Sequence, residues 1–228
     1  MLSTLLGLTL ILTRISSFFL VVPVFGWPTI PGQVKAALAI LLAVFFCACK
    51  PLGVTPADIS SPMAMILLAG EIIYGLALGL IVSLLFSVVR LSARIAEQQM
   101  GLTMAEIIDP LNGEEAGTLS NLMEMVFILL FLSANGHHMF LQILSKSYDA
   151  FPPGTIPTVN LLVEGVVNTG SVMFIASLRL AAPLLGGFLV LMVALALLSR
   201  LVPEMEIFML SIPAQIALGL FLVAVFMP

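Results

Sequence analysis

The sequence predicts an all-α integral membrane protein, and three observations support this prediction. Hydrophobic residues make up 61% of the chain and charged residues 9%, whereas a soluble globular domain is about one quarter charged. Several apolar runs reach the roughly 20 residues that a helix needs to cross a bilayer. Prolines, glycines and polar segments divide the chain into about six such runs. The net charge of −4 also excludes the basic surface expected of a nucleic-acid-binding protein.

The first two apolar runs are separated by prolines. The first run, Leu2–Val22, lacks the basic flank of a signal peptide, so we expect it to be a retained membrane helix. Prolines within residues 23–31 predict a break, because proline cannot donate a backbone hydrogen bond inside a helix. The second run is Val34–Cys49, and a loop rich in proline and small residues follows at 51–62.

The third run begins near Met63 and stays compatible with a helix to about Ile108. At about 1.5 Å per residue it would be about 65 Å long, twice the roughly 30 Å of the hydrocarbon core, so it must bend or leave the membrane. Gly75 and Gly79 lie four residues apart, which predicts close packing against another helix. The second half, Arg90–Ile108, is polar on two sides, so we expect it to face protein rather than lipid.

A polar island, Glu97–Ser120, lies between long apolar runs and carries five carboxylates. Glycines and Pro110 disfavour a helix in its second part. A segment with this many charges is not expected in lipid. We therefore expect the island to be surrounded by protein or to line a water-filled passage.

Three more apolar runs complete the chain. The fourth, Leu119–Leu144, is interrupted at Asn135–His138. The fifth, Val159–Val202, is too long for one span, and Pro183 predicts a break within it. The sixth is Ile207–Met227. Because the chain stops on this apolar run, we expect that a natural C-terminal tail is missing.

Charged residues inside the apolar runs are expected to face protein or water, because a charge in lipid is costly. These residues are Arg14, Glu71, Glu124, Glu164 and Arg179. A pathway for an ion or a polymer and pairing between helices or subunits both remain open for them. We assign polar contacts between helices or subunits to Arg14, Glu71, Arg90, Arg94, Glu97, Glu124, His137 and Arg179. No nucleophile motif, phosphate-binding loop or metal-ligand spacing occurs in the sequence, so we predict no catalytic, cofactor or metal site.

Several segments match a known family in their order and spacing. They are TRISSFFLVVPVFGWPTIPGQVKAALAILLA at Thr13–Ala43, GEIIYGLALG at Gly70–Gly79, QQMGLTMAEIIDPLNG at Gln98–Gly113, LLFLSANGHHMFLQIL, SYDAFPPG, and LSRLVPEMEIFMLSIPAQIALGL at Leu198–Leu220. Through them the whole chain resembles the FliR-type export-gate family of type III secretion systems. The NGHH pattern is more similar to the flagellar branch than to the virulence branch. The chain departs from the family in ARIAEQQMGL, where a Gly-Glu pair is common.

The resemblance implies a FliP-like part at about residues 1–157, followed by a FliQ-like part at 158–228. It implies bent helical hairpins in a helical hetero-oligomer with about five FliP-type and about four FliQ-type subunits. Further implied partners are FlhA-type and FlhB-type export proteins, unfolded flagellar substrates in transit, and membrane lipid. The implied location is the flagellar basal body in the bacterial inner membrane, with part of the assembly above the lipid on the periplasmic side.

The function that the resemblance implies is a structural and gating subunit of a protein-export channel, without catalysis. A loop of the family plugs the closed pore, and by position it corresponds to Asp109, Pro110, Leu111, Asn112, Gly113, Glu114, Glu115, Ala116 and Gly117. The helix flanking the gate would contribute Gln98, Met100, Gly101 and Met104. Alternatives are the equivalent subunit of a virulence injectisome, a stand-alone secondary transporter and, with least support, a membrane enzyme.

Overall fold

The regular elements of the computed structural model are all helices, which confirms the all-α prediction. The structure describes residues 2–26, 30–49, 61–103, 117–155, 158–201 and 207–226. Its helices are α1 (Leu2–Val21), α2 (Pro23–Gly26), α3 (Gly32–Cys49), α4 (Ser61–Met100), α5 (Thr118–Ser133), α6 (Gly136–Ala150), α7 (Val159–Leu201) and α8 (Ile207–Phe226).

Several helices have the length and composition of membrane spans. Among the described residues, α3, α4 and α7 are long and apolar enough to cross a membrane, and α5 with α6 would make a fourth span if the pair is counted as one. This pair is bent by 75°. Asn135 at the bend has φ 59° and ψ 29°, a left-handed conformation that asparagine tolerates better than most residues. The predicted interruption of the fourth run is therefore a bend.

The helix α4 ends at Met100, so the prediction of a continuous helix to Ile108 is wrong. Gly101 has φ +73°. Its N–H donates to the carbonyl of Gln98, and the N–H of Leu102 donates to the carbonyl of Glu97, each at 3.2 Å. These two bonds form a Schellman motif, which satisfies carbonyls that the helix end leaves unpaired. Gly101 therefore terminates α4 locally.

The predicted break at Pro183 is also wrong, because α7 continues through this proline from Val159 to Leu201. Proline removes one backbone hydrogen bond and adds a ring to the helix surface. Long apolar helices tolerate this change when the freed backbone groups find other partners. Pro213 likewise lies inside α8.

The chain divides into two compact units. The first contains residues 1–86 and 128–171, and the second contains residues 87–127 and 172–228. In the first unit, a Cβ added to Gly75 would lie 1.9 Å from Ser17 Oγ, and one added to Gly79 would lie 2.8 Å from the Cβ of Val21. The close helix packing predicted from the two glycines is therefore present between α4 and α1.

Each unit has its own apolar core. Aromatic rings fill part of the first: Phe140 lies 5.1 Å from Phe131 and 6.2 Å from Phe18, measured between ring centres. The core of the second unit consists of Ala93, Ala96, Met100, Leu119, Met123 and Phe188. The predicted division between residues 157 and 158 stays a prediction.

Candidate functional site

A buried ion pair joins two helices of the first unit. Arg14 of α1 donates through Nε to Oε2 of Glu71 in α4 at 2.5 Å, and both side chains are completely buried. Removing two charges from water is costly, so such a pair persists only when its geometry and its additional hydrogen bonds are good. Both side chains have additional partners here.

Arg14 also contacts the C-terminal end of α6. Its Nη1 donates to Ser147 Oγ at 2.9 Å and to the carbonyl of Phe151 at 3.0 Å. The last carbonyls of a helix lack partners inside the helix and carry partial negative charge, so a guanidinium stabilises this end. The guanidinium carbon of Arg14 lies 4.8 Å from the ring centre of Tyr74 and 4.7 Å from that of Tyr148. Both aromatic rings thus add cation–π contacts to the buried charge.

Glu71 connects the same pair to the turn that follows α6. Its Oε1 accepts a hydrogen bond from the N–H of Gly154 at 2.9 Å. We call Arg14, Glu71, Ser147, Phe151 and Gly154 the Arg14 cluster. It joins α1, α4, and the end of α6 with the turn that follows it, so it fixes three parts of the chain that are far apart in sequence.

A second buried carboxylate stabilises the start of α5 in the second unit. Oε1 of Glu97 accepts from the N–H of Ser120 at 2.9 Å, and Oε2 accepts from the Ser120 hydroxyl at 2.6 Å. Gly117 precedes α5, and a Cβ there would lie 1.9 Å from Oε2 of Glu97. The carboxylate thus supplies the acceptor that an N-cap side chain normally provides, and its negative charge suits a helix N-terminus.

The Glu97 contact joins the last turn of α4 to the start of α5, the two described helices that border residues 104–116. On one side, the Schellman motif at Gly101 fixes the end of α4. On the other, Glu97 holds Gly117 and the first turn of α5. The described residues therefore fix both points from which this segment departs.

The remaining residues assigned to polar contacts lie in different surroundings. Arg90 donates through Nε to Oε2 of Glu124 at 3.0 Å, with Nη2 contacting the same oxygen. The Arg90 side chain is 57% exposed and that of Glu124 is 7% exposed. Arg94 is half-buried in α4, whereas His137 in α6 and Arg179 in α7 are exposed.

The predicted gate-flanking residues are only partly described. Met100 is buried in the second core, and a Cβ on Gly219 would lie 2.4 Å from its methyl carbon. Gln98 is exposed. Met104 and the predicted plug residues 109–116 lie outside the described residues, and Gly117 of that loop is described.

Sequence reasoning missed the hydrogen-bonding partners of the buried charges. Several of them are backbone groups, among them the carbonyl of Phe151 and the N–H groups of Gly154 and Ser120, and no side-chain pattern points to a backbone group. Ser147 and Ser120 are small residues with no distinctive spacing to Arg14 or Glu97. The segment SYDAFPPG contains three of these partners, so its match to the family is a sequence signal that could have pointed to them. The described residues contain no group of three or more His, Cys, Asp or Glu that could hold a metal ion.

Comparison with known proteins gives a match over almost the whole chain. Residues 5–228 match the model of bacterial export proteins, family 1. The flagellar biosynthetic protein FliR of Escherichia coli (strain K12) is 31% identical over 217 residues, which cover 95% of this chain and 82% of that protein.

Two further relatives give the same result. FliR of Bacillus subtilis (strain 168) is 28% identical over 226 residues, which cover 96% of this chain and 85% of that protein. FliR of Aquifex aeolicus (strain VF5) is 27% identical over 224 residues, which cover 97% and 86%. The similarity therefore extends over both units of the structure.

Proposed function

The chain belongs to bacterial export proteins, family 1, and we propose that it is a structural and gating subunit of the flagellar protein-export channel. Its similarity to FliR proteins makes it a component of the flagellar export apparatus. Its long apolar helices make it a membrane-embedded component. The family is one of export proteins and not a known enzyme family, so the proposed role contains no catalytic step.

The main support for the gating role is that the chain is held at a fixed point on either side of residues 104–116. We call these two points the anchors. A closing segment must move while the rest of the channel stays in place. The Schellman motif at Gly101 and the Glu97–Ser120 contact provide two fixed points next to each other. A segment attached in this way can leave a passage without unwinding α4 or α5.

In this proposal, residues 109–117 close the passage in the resting channel. The segment is rich in glycine and carboxylates and contains Pro110. Glycine and proline disfavour a regular helix, and carboxylates keep a segment hydrated inside a channel. Unfolded flagellar proteins would cross the inner membrane when this segment is displaced.

The partners in this proposal are FliP-type and FliQ-type subunits, with FlhA-type and FlhB-type proteins beside them. The exposed apolar surface of the chain supports such an assembly. In an apolar 18-residue stretch of α7, only 11% of the residues are buried within the chain. Lipid or other subunits must cover the remainder, because apolar surface of this extent is unfavourable in water. We place the assembly in the inner membrane, partly on the periplasmic side.

Deletion of residues 109–116 tests the gating role. Expressed with its partner subunits, the deletion variant should make the membrane permeable to small solutes, because the anchors remain while the closing segment is gone. Uptake of a dye that does not cross intact membranes is the measurement. The matched control is Glu114→Gln with Glu115→Gln, which keeps the segment length and should keep the channel closed.

The assembly must be quantified in the same membranes. If the deletion variant assembles in normal amount and dye uptake does not rise, the gating role is wrong. If dye uptake rises equally in the control variant, the two charges rather than the presence of the segment determine closure.

A further inference from the structure

A narrow line of polar side chains runs along the exposed surface of the first turns of α7. Asn160, Glu164, Asn168 and Ser171 recur at intervals of four, four and three residues, so they lie on one face of the helix. All four are exposed. We call this line the polar stripe. At about 1.5 Å per residue it is about 16 Å long.

Glu164 carries the only formal charge of the polar stripe. Among the described residues, none forms an ion pair or a hydrogen bond with its side chain. An uncompensated carboxylate on a helix of membrane-span length is costly in lipid and normally faces protein or water. Where this part of α7 lies at membrane depth, the face that carries Glu164 is therefore not a lipid-facing surface.

Apolar residues border the stripe on both sides. Leu161 lies on one side, and Val163 and Val167 lie on the other, and each of the three is more than half exposed. A wall of a water-filled passage would be polar over a broader surface, and bulk water disfavours continuous apolar surface of this kind. Glu164 makes lipid an unfavourable environment for this surface, and the flanking apolar residues make water unfavourable. A protein surface can accommodate both the carboxylate and the apolar side chains.

An open apolar groove continues this surface on the valine side. It has a volume of about 350 Å³ and lies between α4 and α7, with Ile73, Leu76 and Leu80 on one wall and Val163 and Val167 on the other. Large apolar side chains of a partner would fill it. The groove and the polar stripe together form an amphipathic surface with one negative charge.

We propose that the polar stripe and this groove are the docking surface for a helix of a neighbouring subunit that carries a lysine or arginine opposite Glu164. The cation would neutralise the carboxylate, the two asparagines and the serine would hydrogen-bond polar groups on either side of it, and apolar side chains of the same helix would occupy the groove. Polar contacts between membrane helices of this kind stabilise their association. The proposal rests on the proposed function, because it requires an assembly with other subunits.

Site-specific photo-crosslinking in native membranes tests the proposal. A photoreactive amino acid replaces Asn168 in the full chain, and the crosslinked peptides are identified by mass spectrometry. We expect a product with another subunit, joined within two helical turns of a lysine or arginine. In a Glu164→Lys background the yield should fall at least about tenfold, because two like charges then face each other. Glu164→Asp, which keeps the charge, should retain the product.

A second change, made in the partner subunit, distinguishes loss of the docking contact from misfolding of the Glu164→Lys chain. Reversing the partner's cation to glutamate should restore the crosslink in the Glu164→Lys background. A product with lipid, or a yield that Glu164→Lys leaves unchanged, would overturn the docking surface while the proposed export function stands, provided that the wild-type chain still purifies with other export subunits. A wild-type chain that purifies without any of them would instead overturn the proposed function.

Discussion

Removing Arg14 and Glu71 singly and together gives a sharp test of the buried ion pair. Arg14→Met leaves the Glu71 carboxylate buried with Gly154 N–H as its remaining described partner. Glu71→Met leaves a guanidinium that cannot lose its proton. Each single change should lower the free energy of unfolding by about 3–5 kcal/mol, the range for breaking a buried pair on one side.

The double variant should be far more stable than the sum of the single effects predicts. It contains neither charge, so its main loss is the three hydrogen bonds to Ser147 Oγ, the carbonyl of Phe151 and the N–H of Gly154. At about 1 kcal/mol each, this loss amounts to about 3 kcal/mol. Adding the two single effects would instead give about 6–10 kcal/mol.

Denaturant unfolding of the detergent-purified chain, followed by circular dichroism, measures all three variants. The control is Glu124→Met, which breaks the Arg90–Glu124 pair by removing its buried partner and leaves an arginine that is 57% exposed. Because water solvates the remaining arginine, the control should cost no more than about 1 kcal/mol. Additive single effects, or a single variant as stable as the wild type, would refute the account of the Arg14 cluster.

Two further substitutions test local features. Glu97→Ala removes the acceptors of the Ser120 N–H and hydroxyl and should destabilise the first turn of α5 by about 1–2 kcal/mol. Faster amide hydrogen exchange in that turn would show this effect, and unchanged exchange would contradict the capping role. Gly75→Val would drive a side chain into Ser17 and should cost about 3 kcal/mol or prevent folding, seen as loss of the folded chain from membranes. Gly32→Ala, where no atom lies within 4 Å of the added carbon, is the matched control and should leave that amount unchanged.

Much of the fold could be predicted because the signals are local. Apolar runs of span length predicted the helices, and the spacing of Gly75 and Gly79 predicted the close approach of two backbones. The interruption at Asn135 predicted the bend between α5 and α6. In each case the physical cause lies within a few residues of the observation.

One helix end and one helix interior could not be predicted by the same reasoning. Gly101 was visible in the sequence, but the flanking residues continue a helical pattern to Ile108. The helix α4 ends at Met100 because two backbone hydrogen bonds form around Gly101. Composition does not reveal these bonds. Pro183 predicts a break, but the helix continues through it.

The candidate site was harder to predict than the fold. Arg14 and Glu71 are 57 positions apart, and no rule of spacing joins residues in different helices. The cost of a charge in lipid predicts that each needs a partner, but it does not select the partner. The roles of Ser120 and Gly154 depend on backbone geometry at helix ends, which only the folded chain defines.

The composition of the complex purified from native membranes tests the central proposal most directly. The account predicts a large hetero-oligomer in which this chain is accompanied by FliP-type and FliQ-type subunits, each in more copies than the chain itself. Mass spectrometry of the intact complex would give both the identities and the copy numbers. A chain that purifies alone and transports a small solute by itself would contradict the account.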